Sequence, residues 1–246
     1  MESKNDYLDI GNMQYLLANL TQLTLEVTDA CNLKCKYCGS GDLYNDYDKR
    51  DNRIINIKAA INIIDYLVEF WNSSYNTFAN KNVFISFYGG EPLLSMTFIR
   101  KIVSYIKNIE CKYRTFKFSM TTNAILLDRY MDFLVENQFE LLISLDGNEY
   151  NTSYRVDKRG KPAFKKIIKN VDCLFKKYPD YFNEKVNFNA VLHNRNSVEE
   201  IVMYIKNKYN KIPSIGELNN IGVDYVLNGR PNTEIKKIGI VNLVMS

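Results

Sequence analysis

This chain of 246 residues is poor in several features that mark common protein classes. No segment approaches the unbroken apolar run of about 20 residues that a membrane span needs. The N-terminal MESKNDYLDIGNMQYLLANL carries mixed charge where a secretory signal would be apolar, so the sequence reads as a soluble, cytoplasmic protein with no membrane partner. No Pro-, Gly- or Ser-rich linker, low-complexity tract or internal repeat interrupts it, which argues for one domain over most of its length. Lysine and arginine exceed aspartate and glutamate by only 32 − 28 = 4, and the basic residues are scattered as short lysine pairs, so no nucleic-acid surface is indicated. There is one histidine, His193. The five cysteines are an odd number, and three fall within CNLKCKYC, too close together for a disulfide framework, so metal or redox chemistry is the better expectation.

What is present is an α/β pattern. With 46% hydrophobic residues the chain can fill a sizeable core. From Thr21 onward, short β-like runs at 23–27, 83–88, 115–120, 140–145, 186–192 and 221–226 alternate with amphipathic helical runs, the mark of βαβ units on a parallel sheet. The helical stripes include Ile57, Ile61, Ile64, Val68 and Trp71, then Ile99, Ile102, Val103 and Ile106, then Phe164, Ile167, Ile168, Val171, Leu174 and Phe175, all at the three-to-four spacing of a core-facing side. Residues 1–20 read as a lead-in and 21–230 as the core. The tail, 231–246, is apolar and stops abruptly, as a truncation would.

Cys31, Cys35 and Cys38 follow directly on the first strand, at the carboxyl end where parallel sheets place their ligand sites. Three thiolates on a tight loop suit three irons of a [4Fe–4S] cubane and leave the fourth iron without a protein ligand. A structural zinc site wants four ligands, and His193 is far along the chain; three cysteines plus water would still serve a catalytic zinc. Three unliganded thiols would leave a reactive cluster with no evident use. Cys111 and Cys173 lie in or beside helical runs and read as bystanders.

The CxxxCxxC spacing, with Tyr37 immediately before the last cysteine, resembles the signature of the radical S-adenosylmethionine (SAM) enzymes. The resemblance implies one [4Fe–4S] cluster on Cys31, Cys35 and Cys38, with SAM on the open iron, Tyr37 beside the adenine, and a partial (β/α)6 TIM-like barrel open on one side. Later strand ends extend it. YGGEP (88–92) resembles the family's GGEP motif, placing Gly89, Gly90 and Glu91 at the amino group of SAM. TTNA (121–124) resembles a TNG turn with Ala124 in place of glycine, and Asn123 there could equally cap the next helix. ISLDG (143–147) resembles a segment whose serine, here Ser144, reaches the ribose, while Asp146 could bind ligand or make an Asx-turn. Arg155 matches a guanidinium suited to the carboxylate of SAM. Tyr150 and Asn151 depart from the His-Asp that often precedes that arginine. His193 and Asn194, at the end of the fifth strand run, receive no catalytic role, because hydrogen abstraction by a carbon radical needs no base at that step, while Asp224 could orient or deprotonate substrate or could equally reflect the alternating polarity of its strand.

ISLDG and the long fourth connection most resemble members that modify ribosomally made peptides or mature sulfatases. The resemblance thus implies hydrogen abstraction from a precursor peptide or protein, with electrons from a donor such as ferredoxin or flavodoxin. Formation of formylglycine in a sulfatase is the second enzymatic expectation, and a non-catalytic, metal-bearing module that grips a leader peptide is the third reading. Such members usually carry a cysteine-rich C-terminal extension with auxiliary clusters, whereas no cysteine follows Cys173. The sequence therefore reads as an isolated core or as a branch without those clusters.

Overall fold

A computed structural model describes residues 9–40, 51–79 and 81–218, together with a two-stranded antiparallel pairing of Val226–Leu227 with Arg230–Pro231. Six strands, β1 (Gln22–Thr28), β2 (Lys81–Gly89), β3 (Arg114–Thr122), β4 (Glu140–Ser144), β5 (Val186–Leu192) and β6 (Ser214–Glu217), form one sheet in sequential order. Every neighbouring pair is parallel, the free edge of β1 carries an antiparallel bridge from Thr28 to Ile54, and among the described residues β1 and β6 do not pair with each other, so the barrel is partial and open. Five of the six strands fall where the alternation places them. The sixth differs: β6 lies upstream of 221–226, of which residues 221–225, including Asp224, lie outside the described residues. The four residues of β6 are half-buried or exposed, so no apolar alternation marks them.

Helices α1 (Ile10–Ala18), α2 (Ile57–Trp71), α3 (Met96–Asn108), α4 (Leu127–Glu136), α5 (Phe164–Lys177), α6 (Pro179–Lys185) and α7 (Val198–Tyr209) complete the architecture. Their starts are written locally. Asn56 accepts from Lys58 N and Ala59 N at 2.8 and 3.2 Å to cap α2, and Ser197 with Glu200 forms a reciprocal capping box on α7. The α2 stripe buries Ile64, Val68 and Trp71 as the spacing predicts, while Ile57 and Ile61 are only partly buried and Ala60 and Leu67 complete the face. On the strands, Leu25 and Val27, Val83, Ile85 and Phe87, and Phe118 and Met120 point into the core, where Phe87, Phe118 and Phe139 stack on one another at 5.3–6.4 Å. Each such side chain withdrawn from water contributes about 1.5–3 kcal/mol.

The alternate residues, among them Glu26, Tyr88, Thr121, Ser144 and Asn189, face the barrel interior and line a cavity at the carboxyl ends of the strands. No described helix is long and apolar enough to cross a membrane.

Candidate active site

A cavity of about 940 Å³ opens at the carboxyl ends of β1 to β5. The ten residues that the sequence singles out all line it: Cys31, Tyr37, Cys35 and Cys38 from the loop after β1, Gly89 at the end of β2 with Gly90 and Glu91 just after it, Asn123 after β3, Ser144 at the end of β4, and Arg155. Placement at strand ends explains the convergence, because a parallel sheet delivers each following loop to the same edge.

The β1–β2 junction is built around its glycines. The register slips between Glu26 and Thr28, and Thr28 then pairs with Gly89. Gly90 N donates to Thr28 O at 2.8 Å and Glu91 N to Ala30 O at 2.9 Å. A Cβ on Gly89, whose φ is +131°, would lie 2.2 Å from Thr28 O, and one on Gly90 would lie 2.2 Å from Ala30 O. The close approach that requires glycine here is thus to the backbone just before Cys31.

Glu91 is buried and ties β2 to β3. Its Oε1 accepts from Thr122 Oγ1 at 2.7 Å and from Leu93 N at 3.1 Å, and its Oε2 accepts from Asn123 N at 2.8 Å. Burial pushes its carboxyl up to about 6, against these hydrogen bonds, which favour the charged form. At the next position Ala124 takes φ +61°, the left-handed conformation that a glycine would adopt without strain. Asn123 caps the following turn, accepting from Ile125 N at 3.0 Å, and its Nδ2 donates to Asn32 Oδ1 at 2.8 Å and lies 3.8 Å from Cys31 Sγ.

Asp146 proves to be a structural hub. Fully buried, it accepts from Arg155 Nη2 at 2.8 Å and Nε at 2.9 Å, from Val191 N at 3.0 Å, and from the Tyr37 hydroxyl. Burial alone would lower the Arg155 pKa; Asp146 and then Tyr37 outweigh it and hold the guanidinium charged well above its ordinary range. Tyr37 stacks on His193 at 5.5 Å, with the Arg155 guanidinium 5.5 Å from its ring centroid. Its hydroxyl is pushed well up by burial and stays protonated as a donor to Asp146. His193 is buried, not exposed on a loop; its Nδ1 accepts from Arg195 N at 3.1 Å, and burial lowers its pKa. Asn151, where the family pattern is broken, is buried and donates through Nδ2 to Arg195 O at 2.7 Å. Ser144 donates to Asn189 Oδ1 at 3.0 Å. Sequence reasoning left Asp146 open and missed Thr122, Asn189 and Asn32; their signal is polarity at strand ends, which is common to many connectors.

None of the three loop cysteines is in a disulfide, and withdrawal from water pushes the Cys35 thiol up to about 12. Among the described residues no three His, Cys, Asp or Glu side chains converge to hold a single metal ion, whereas a cubane asks each cysteine for a bond to its own iron. The donor set, three sulfurs on one cavity wall with N–H groups directed at Cys31, fits an iron–sulfur cluster. Cys111 is half-buried near Asn72 and Cys173 is exposed, both away from this cavity.

An open parallel barrel with a three-cysteine loop at its carboxyl edge defines a class of cofactor-dependent enzyme. The sequence model of the radical SAM superfamily matches residues 25–207, and the chain belongs to that superfamily, whose enzymes use SAM and a [4Fe–4S] cluster held by three cysteines. It is 32% identical over 193 residues to an uncharacterized protein of Methanocaldococcus jannaschii, covering 77% of this chain and 60% of that protein. It is 28% identical over 176 residues to the radical SAM cyclopropyl synthase TigE of Paramaledivibacter caminithermalis, covering 69% and 35% respectively. It is 31% identical over 194 residues to a cysteine-type anaerobic sulfatase-maturating enzyme of Clostridium perfringens, covering 77% and 49%. The solved structure of native anSMEcpe with bound AdoMet superimposes with a TM-score of 0.67 at 25% identity, covering 81% of this chain and 52% of that one. The chain thus spans between about a third and three fifths of these relatives' lengths.

Proposed function

We propose that this chain is the catalytic core of a peptide-modifying radical SAM enzyme. Cys31, Cys35 and Cys38 would hold the cluster, and Gly89, Gly90, Glu91, Asn123, Ser144 and Arg155 would form the wall that receives SAM, with Tyr37 at its edge. When bound, the cluster and SAM supply a 5′-deoxyadenosyl radical that abstracts hydrogen from substrate. The observation that carries this reading is the gathering of all ten residues on one cavity in a barrel that β1 and β6 leave open.

The chain's own residues contribute binding and order. Arg155 offers Nη1 toward a carboxylate, since its Nε and Nη2 are taken up by Asp146 and Nη1 has no hydrogen-bond partner among the described residues. Asp146 in turn fixes the Tyr37 ring through its hydroxyl. The Glu26 side chain lines the cavity with no hydrogen bond or ion pair from its carboxylate to a described residue, which leaves that carboxylate for the donors of an incoming peptide. An open side admits an extended chain where a closed barrel would admit only a small molecule.

Electrons would come from a donor such as ferredoxin or flavodoxin. Formylglycine formation in a sulfatase is a second reading, favoured by the sulfatase-maturating enzymes among the relatives. Parallel incubations separate the two. A precursor peptide encoded beside this protein, a sulfatase-derived peptide and a panel of small metabolites are each treated with reduced protein and SAM and weighed by mass spectrometry. A mass change in the precursor alone supports peptide maturation, a change in the sulfatase peptide alone supports the second reading, and a change in a metabolite alone overturns both.

A further inference from the structure

The reading of Cys31, Cys35 and Cys38 as cluster ligands leaves one contact without a purpose. Asn123 Nδ2, carried on the loop after β3, lies 3.8 Å from the Cys31 sulfur, and Leu33 N donates to the same sulfur at 3.5 Å. Resting on that reading, we propose that Asn123, held in place by Asn32, is a positioning residue that donates to the Cys31 thiolate and sets the reduction potential of the cluster.

The orientation of the amide follows from its neighbours. The Ile125 backbone N–H can only donate, so the Asn123 atom 3.0 Å from it must be the carbonyl oxygen. The nitrogen is thereby turned toward Asn32 and Cys31, and the Asn32 atom at 2.8 Å must be its own oxygen. Asn32 Nδ2 is then a buried donor without an acceptor among the described residues. Asn32 accordingly holds the donor face of Asn123 toward Cys31 while its own amide nitrogen finds no acceptor among the described residues.

A one-electron reduction adds negative charge to the cluster and its thiolates. An N–H donor on a ligand sulfur stabilises that added charge and raises the potential. The Leu33 donor belongs to the backbone and is present whatever the side chain. The Asn123 donor is a choice of residue, made where the turn itself needs only an oxygen to cap Ile125 N.

The test is an EPR-monitored redox titration of the anaerobically reconstituted protein, comparing wild type with Asn123→Ala, Asn123→Asp and Asn32→Ala. Asn123→Asp keeps the oxygen that accepts from Ile125 N while removing the donor, so it separates the cap from the hydrogen bond to sulfur. With about four irons and four sulfides per chain in each protein, loss of the donor is expected to lower the reduced-to-oxidised ratio at fixed potential about tenfold, or about 59 mV for a one-electron couple. Asn123→Asp should fall at least as far as Asn123→Ala, and Asn32→Ala should fall less. Full cluster content with ratios within twofold of wild type in all three variants would overturn the inference while leaving the cluster reading intact, and a change in melting temperature alone would mark Asn123 as merely structural. Failure of the wild type to assemble a cluster would overturn both.

Discussion

Replacing Arg155 by alanine should destabilise the metal-free protein far more than the loss of an ordinary ion pair. Exposed pairs are worth about 0–1 kcal/mol, because water solvates both partners when they separate. Here Arg155 and Asp146 are both buried and joined by two hydrogen bonds at 2.8 and 2.9 Å. Removing one partner of such a pair strands a buried charge and costs about 3–5 kcal/mol. Val191 N and the Tyr37 hydroxyl still donate to Asp146, which places the expected loss near the lower end, at about 3 kcal/mol. For a chain of this size that corresponds to a melting temperature lower by roughly 6–12 °C. Urea denaturation under anaerobic conditions, followed by circular dichroism, measures the loss directly. The reasoning also predicts the sign of a second change: adding Asp146→Asn to Arg155→Ala removes the stranded charge, so the double variant should be more stable than Arg155→Ala alone. A loss below about 1 kcal/mol for Arg155→Ala, or a double variant no better than the single one, would refute the account of Asp146 as a buried, charge-paired hub.

Two further outcomes follow from the same geometry. Because burial raises the Glu91 carboxyl from 4.5 to about 6, its contribution to stability is full below about pH 4.5 and is lost as pH rises through 6, a decline of about 2 kcal/mol; the difference in urea stability between wild type and Glu91→Gln should fall over that window and then level, and a flat difference would contradict it. Gly90→Ala sets a Cβ 2.2 Å from Ala30 O, so it should cost about 1–3 kcal/mol and reduce the iron retained after reconstitution, since Ala30 immediately precedes Cys31; unchanged melting and iron content would show that the β1–β2 junction tolerates the displacement.

Much of the fold and ten residues of the cavity wall were legible in the sequence because both depend on local signals. Strands of five to nine residues with apolar alternation, helical stripes and the short CNLKCKYC and YGGEP segments each announce their own place, and a parallel sheet then brings the strand ends together. What was not legible depends on neighbours remote in sequence. The β6 segment SIGE buries too little to alternate, while IGVDYV carries the stronger β pattern. The pairing of Asp146 with Arg155 and Tyr37 spans the site, and no spacing rule encodes it. The glycines of YGGEP were legible as a turn, yet their close approach to Thr28 and Ala30 needed the register of β1 on β2. Ala124, an alanine in the left-handed conformation that glycine adopts without strain, could not be read as such from its residue type.

The most direct test of the central claim is anaerobic reconstitution with iron and sulfide, reduction with dithionite in the presence of SAM, and quantitation of 5′-deoxyadenosine by mass spectrometry for wild type and Cys35→Ala. The account predicts 5′-deoxyadenosine from the wild type and its loss in Cys35→Ala. A fully assembled cluster in the wild type with no 5′-deoxyadenosine, or equal amounts from both proteins, would contradict it.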